Sequence, residues 1–167
     1  HAMKKIVLTG AAGRLGSYLR EPLTGLCDEL LSTDIVEDIG KLYLGREISQ
    51  VMGHRGAAWL ERQTRAQEEL PDALIERLDV APDAVVADIG AGTGYFSFRL
   101  SRVVPDGRVL AVDIQPEMLA IIRERMLQRS VDNVVPVKGR VDDPMLSSNS
   151  IDAALFVNAY DEFSYSY

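Results

Sequence analysis

Two short stretches hold the residues whose types and spacing suit chemistry. One is Asp88-Ile89-Gly90-Ala91-Gly92-Thr93-Gly94, and the other is Gly10-Ala11-Ala12-Gly13-Arg14-Leu15-Gly16. Each follows a short apolar run and opens a helical pattern, the context that lifts a glycine-rich turn above chance. Glycines permit a tight turn, remove side chains where a ligand nears the backbone, and let helix-N-terminal amides point at it. Each turn is followed by an acid at the end of the next apolar run, Asp113 for the later turn and Asp34 for the earlier one. The chemistry this suits is nucleotide binding, because no residue of either turn is placed as an acid or base. A tight strand–helix turn kept only for packing is the plainer alternative, and it stays open for both.

The elements that must position these turns are legible from periodicity. Ile6–Thr9 reads as a buried strand, and Leu15, Tyr18, Leu19, Leu23 and Leu26 recur at helical spacing with Pro22 bending or ending that helix. Glu29–Val36 reads as a second strand. The stretch 37–80 is helical in character, with helices expected over Ile39–Met52, Ala57–Gln63 and Arg65–Leu78, the last bending or restarting at Pro71. The pattern then restarts: strand Ala84–Ala87, the second glycine turn, helix Tyr95–Val104, and a turn at Pro105-Asp106-Gly107. Strand Arg108–Asp113, helix Pro116–Arg129, strand Val134–Lys138 and strand Ile151–Val157 complete it. Six strands alternating with helices predict a Rossmann-like three-layer α/β/α domain around a mostly parallel sheet.

Composition narrows the function classes. The chain has 167 residues, 18 basic against 25 acidic side chains, a net charge of −7 and 47% apolar residues, which fits one globular unit. No cluster of Lys and Arg tracks a phosphate backbone, so no nucleic-acid partner is expected. No apolar run nears the ~20 residues that span a bilayer, and no signal peptide is read, so the expectation is a cytoplasmic protein with no membrane partner. A single cysteine, Cys27, excludes an internal disulfide and a cysteine-built metal site; no metal is expected. His1, Ala2 and Met3 read as an expression scar.

Residues 4–36 resemble the opening of the extended short-chain dehydrogenase/reductase family, the NAD-dependent epimerases and sugar-acid dehydrogenases. The resemblance lies in Val7-Leu8-Thr9 with the first glycine turn, then Ser32-Thr33-Asp34-Ile35-Val36. It implies a second dinucleotide site in which Gly10, Gly13 and Gly16 approach the pyrophosphate and Asp34 holds the adenosine ribose, favouring NAD over NADP. The family's catalytic Tyr-x-x-x-Lys pair has no counterpart here, so hydride transfer is not implied. The stretch from about Gly45 to the end resembles class I S-adenosylmethionine-dependent methyltransferases, with 88–94 similar to their first motif. That resemblance implies S-adenosylmethionine or S-adenosylhomocysteine as cofactor. Asp88 would sit near its amino-acid end, Gly90, Gly92 and Gly94 near its backbone, Asp113 on both ribose hydroxyls, Ile114 on adenine, and Met118 on the helix that follows. Asp142 would meet the adenine amino group, and Asn158 would lie where the methyl acceptor is met. Met52–Arg62 resembles the helical cap over the cofactor.

Neither resemblance is whole: two strands of one family and four of the other add to six. The chain therefore reads as a chimaera with segments 4–36, 37–80 and 81–167 in one structural domain, its sheet ordered 5-4-3-6-1-2 in chain numbering. In that order strand 1 covers an edge that would otherwise be bare. Strand exchange in a homodimer would cover it as well, so monomer and exchanged dimer both stand. The function expected is a nucleotide site of the S-adenosylmethionine type with methyl transfer weak or absent and no assigned catalytic residue. The alternatives are a scaffold with no ligand, in which side chains of the cap fill the space over Gly92, an NAD-binding module, and a methyltransferase completed by dimerisation. Plainer roles are expected elsewhere: Trp59 as a helix anchor, His54 as a cap or surface residue, and Cys27 as a small hydrophobe at a helix end. Arg55, Glu61, Arg62, Arg65, Glu68 and Glu69 should form an exposed helix face.

Overall fold

The alternation of apolar runs with glycine and proline punctuation produces six short strands and four described helices. A computed structural model describes residues 3–9, 27–33, 60–62, 64–140 and 143–157. In chain order the elements are β1 (Met3–Thr9), β2 (Cys27–Thr33), α1 (Arg65–Glu69), α2 (Pro71–Leu78), β3 (Val85–Ile89) and α3 (Ser97–Val103). They continue with β4 (Arg108–Asp113), α4 (Pro116–Arg129), β5 (Val134–Lys138) and β6 (Ala153–Phe156). No described helix is long and apolar enough to cross a membrane.

The six strands form one sheet in the order β2-β1-β6-β3-β4-β5, with every pairing parallel. Read from the β5 edge this is the expected 5-4-3-6-1-2, though strand bounds differ in detail. β2 begins at Cys27 and ends at Thr33 rather than running from Glu29 to Val36. Cys27 therefore opens a strand, half-buried, and is not a helix-end residue; burial pushes its thiol up. Asp34, Gly10, Gly13, Gly16, Trp59 and His54 lie outside the described residues, as do the helices expected over Ile39–Met52 and most of Ala57–Gln63.

Strand alternation sends buried side chains to both faces. Val7, Val86, Val109, Ala111, Ala153 and Leu155 join Leu78, Leu100 and Ile122 in the larger cluster, so α2, α3 and α4 all supply that core. Ile6, Ala87, Ile89, Val112 and Ala154 form a second cluster with Leu146 and Ile151 packed against it. β1 thus supplies one fully buried side chain to each cluster, worth roughly 1.5–3 kcal/mol apiece. Beneath the sheet Asp152 ties three strands together. Its carbonyl accepts from the Lys5 N–H at 3.3 Å, its N–H donates to the Val85 carbonyl at 2.8 Å, and its Oδ2 accepts from the Val85 N–H at 3.0 Å.

Proline and left-handed residues set the helix boundaries. The helix expected across Arg65–Leu78 is two helices: Leu70 is left-handed at φ 40°, and Pro71 restarts the chain at the first position of α2, with Asp72 in its first turn. α4 starts at Pro116 after extended Gln115 and ends on left-handed Ser130. α3 is shorter than expected because the glycine turn extends to Phe96, and its first helical residue is Ser97.

The Pro105-Asp106-Gly107 turn leads into β4 under a severe steric limit. A β-carbon on Gly107 would stand 2.0 Å from the Ala84 carbonyl oxygen, a backbone atom that itself accepts the Arg108 N–H. Gly107→Ala should lose about 2 kcal/mol or more, since the β3–β4 base must shift to admit the methyl. Urea unfolding should show a lower midpoint with an unchanged slope.

Candidate functional site

In an open parallel sheet the carboxyl ends of the strands face a common edge, and that edge is where ligands bind in such folds. Here the register aligns Ile89 with Val112 and Phe156, and Asp113 with Lys138. The glycine turn that leaves β3 folds back over the end of β4. The Val112 carbonyl accepts two N–H groups, from Gly90 at 3.0 Å and Ala91 at 2.9 Å. Asp113 continues the connection: its Oδ2 accepts from the Gly92 N–H and its Oδ1 from the Gln115 N–H, both at 2.8 Å.

Three turn glycines, Gly90, Gly92 and Gly94, have φ of 75°, 54° and 83°, the left-handed region that side chains disfavour. Their surroundings differ. A β-carbon on Gly94 would press on Phe98 and Ile122, so that glycine serves helix packing. One on Gly92 would stand 2.9 Å from Leu60 Cδ1, so a side chain from the cap segment covers this face of the turn.

Asp88 and Asp113 are the buried carboxylates of the site, each 3% exposed. Asp88 accepts the Ser97 hydroxyl at 2.5 Å and so braces the start of α3 from below the turn. Burial pushes its carboxyl up to about 6, against the opposing pull of Ser97 and of the Arg65 cation. Burial also raises Asp113, opposed by the N–H bonds from Gln115 and Gly92 and by Lys138. Lys138 Nζ donates to the carbonyl of half-buried Ile114, which fixes the backbone beyond Asp113. Met118 is fully buried in α4. Asp142 and Asn158 lie outside the described residues, and among the described residues no group of three His, Cys, Asp or Glu could hold a metal.

A second layer of polar contacts went unread in the sequence. Arg65, expected on an exposed face, is 6% exposed; its guanidinium lies 4.1 Å from the Tyr95 ring centroid and 5.4 Å from that of Phe96. Its Nη1 donates to the Leu60 carbonyl at 2.6 Å. Glu61 is not simply solvated either. Its Oε1 accepts from the Thr93 hydroxyl and from Arg125 Nη1, the latter at 2.6 Å, and Arg125 Nη1 also donates to the Thr93 carbonyl at 3.0 Å. Burial pushes Glu61 up, but the Arg125 and Thr93 hydrogen bonds and two nearby guanidinium groups together hold it below its usual value. Residues 61, 93 and 125 are far apart in the chain, so no local pattern announces their meeting.

With this geometry in place, kinship can be weighed. Residues 86–166, a little under half of the chain, match the family described as methyltransferase domain. That stretch is similar to methyltransferase domains. Protein-L-isoaspartate O-methyltransferase of Aeropyrum pernix is 35% identical over 92 residues, covering 50% of this chain and 35% of that protein. Malonyl-(acyl-carrier protein) O-methyltransferase of Acetivibrio thermocellus is 29% identical over 91 residues, covering 53% and 32%. A SAM-dependent methyltransferase from Aquifex aeolicus superposes with a TM-score of 0.57 at 25% identity, covering 63% of this chain and 57% of its own. The Geobacter sulfurreducens methyltransferase in complex with S-adenosyl-L-homocysteine, at TM-score 0.51 and 17% identity over 67% of this chain and 46% of its own, shares the fold. The chain spans about a third or less of the length of the curated relatives it matches. β1 and β2 lie outside the matched residues.

The raised Asp88 gives a pH dependence of definite sign. The folded chain holds the Asp88 proton more tightly than the unfolded chain does. Its contribution to stability is therefore full at acid pH and fades as pH rises through about 6. An Asp88→Asn variant lacks that titration. Relative to it, the wild type should gain about 1 kcal/mol between roughly pH 7.5 and pH 5, read by chemical denaturation at each pH.

Proposed function

We propose that the Gly90–Gly94 turn and Asp113 hold S-adenosylmethionine or S-adenosylhomocysteine, and that methyl transfer by this chain is weak or absent. The observation that carries the binding reading is the pairing of a left-handed glycine turn with a carboxylate at the end of the adjacent parallel strand, inside the stretch that matches a methyltransferase domain. The cofactor assignment also draws on the methyltransferases that this stretch resembles, one of them solved with S-adenosyl-L-homocysteine.

On this reading Gly90 and Gly92 offer bare backbone to the cofactor. Asp113 already accepts from the Gly92, Gln115 and Ile114 N–H groups, and its remaining acceptor capacity suits a ribose hydroxyl. Ile114 packs on the adenine, Asp142 meets its amino group, and Asn158 lies toward an acceptor. Asp88 acts through Ser97 as a brace for the turn and not as an acid or base. When bound, S-adenosylmethionine supplies a methyl made electrophilic by its sulfonium, and the chain's part is to bind and orient. The sheet supports the reading of weak transfer. β1 takes the place beside β6, where the resemblance calls for later strands that help build the acceptor pocket. The same arrangement supports a chimaeric origin, a dehydrogenase-like segment 4–36 joined to a methyltransferase-like core.

A second reading, a scaffold with no ligand, is favoured by one specific feature: Leu60 covers Gly92 while Asp113 is almost fully enclosed. Titration calorimetry of S-adenosylhomocysteine into the full chain separates the two. The binding reading expects one site per chain, at least a tenfold weaker affinity in Asp113→Ala, and a stability gain of about 2.7 kcal/mol at a hundredfold excess over Kd. That gain should raise the melting temperature by roughly 5–10 °C. No heat and an unmoved melt, from a folded sample at millimolar ligand, would favour the scaffold.

A further inference from the structure

Leu60, Glu61 and Arg65 meet the glycine turn through contacts of two kinds. One is apolar and steric: a methyl of Leu60 takes the space a Gly92 side chain would need. The other is polar and partly wet. Glu61 Oε1 is shared between the Thr93 hydroxyl and Arg125 Nη1, with Glu61 about 32% and Arg125 about 21% exposed. Arg65 joins the two, because its bond to the Leu60 carbonyl and its stacking on Tyr95 hold the segment against the end of the turn.

A side chain locked in a core is enclosed on all sides by apolar partners. Leu60 is different: it is only half-buried, and besides the buried Arg65 bond to its carbonyl, the residue next to it is held by a charged contact that water can reach. Partly exposed ion pairs open at modest cost, and such contacts belong to the least stable parts of a fold. The groups beneath are by contrast almost wholly covered, Thr93 at 1% and Asp113 at 3% exposure. A ligand that is to meet Asp113 across the Gly92 face has to displace the Leu60 methyl.

We propose that Leu60 is a gate over Gly92 and that the Glu61–Thr93–Arg125 contact is its latch, so that the adenosyl cofactor is admitted only by the unlatched form. The proposal rests on reading the turn as the adenosyl site, and it assigns that site a self-occluded resting state. Occlusion lowers apparent affinity by the fraction of molecules that are open. Its signature is a reversed sign: trimming residues at the mouth of a site normally weakens binding, whereas trimming a gate strengthens it.

The test compares the full-length wild type with Leu60→Ala, Glu61→Gln and Arg125→Gln, each checked for native circular dichroism. Arg125→Gln breaks the latch from α4 without altering the segment over the turn, so it stands in if a change at 60 or 61 disturbs folding. Two quantities are read: amide exchange at Gly92–Gly94 in the free proteins, and the Kd for S-adenosylhomocysteine. The gate predicts exchange faster by about tenfold and a Kd lower by about three- to tenfold in each folded variant. Binding that appears only in the variants supports it equally. If wild-type binding is measurable and the variants bind no better, Leu60 is a wall of the site and the gate is overturned alone. Should none of the four bind even though exchange quickens, the adenosyl reading itself falls and the gate falls with it.

Discussion

The tie between the ends of β3 and β4 sets the geometry of everything around it. A strand leaving a parallel sheet must satisfy its next amides, and here the Val112 carbonyl takes two of them while the Asp113 carboxylate takes a third from the same turn. The fourth bond, from the Gln115 N–H, lets one side chain fix both the turn after β3 and the entry to α4. A carboxylate enclosed to this degree is costly to ionise, and hydrogen bonds to its charged form are what offset the cost. The turn could not hug β4 so closely if Gly90 and Gly92 carried side chains with ordinary backbone preferences. Local sequence, strand register and site geometry are thus one constraint seen at three scales.

That constraint gathers negative charge, and the response to it is visible. Asp88 and Asp113 each raise the cost of ionising the other, and the cation nearest to relieving Asp88 is Arg65. A guanidinium suits this task better than an ammonium would. It is weakly hydrated and planar, so it can be buried against Tyr95 and Phe96 while still donating to the Leu60 carbonyl. The Leu60 end of the cap segment is therefore held by the same guanidinium that answers the electrostatics of the site beneath it.

What the sequence disclosed followed from how local each signal was. Periodicity and proline found α4 to the residue, and the strand–glycine–helix pattern placed the turn and Asp113 at neighbouring strand ends. The counting of strands between two incomplete patterns was enough to put β1 beside β6. The burial of Arg65 is not legible in the sequence, because a charged string at helical spacing looks like a solvated face, and only tertiary packing brings this guanidinium against Tyr95 and Phe96. Glu61, Thr93 and Arg125 escaped for the same reason: their meeting is a property of how α4 and the turn are stacked. Cys27 and the start of β2 were misjudged because Cys27-Asp28 breaks the apolar run that was used to find the strand.

The position of β1 also bears on how the chain folds and stays folded. β6 is only four residues long, and all four pair on both sides: with β3, and with β1 from Lys5 to Leu8. Of the bonds that close the base of this arrangement, Asp152 to Val85 and Lys5, the one to Lys5 joins residues separated by almost the length of the chain. Closing so long a loop carries a large entropy cost before any contact repays it, so β1 must dock late, onto a sheet already made by β3, β4 and β5. Until then β6 presents one unpaired edge and the apolar faces of Ala154 and Leu155, the kind of surface a second chain can pair with. A strand from far upstream therefore covers the β6 edge of the methyltransferase-like half and moves the sheet's open edge out to β2. Its two buried side chains, Ile6 and Val7, divide that work between the two faces.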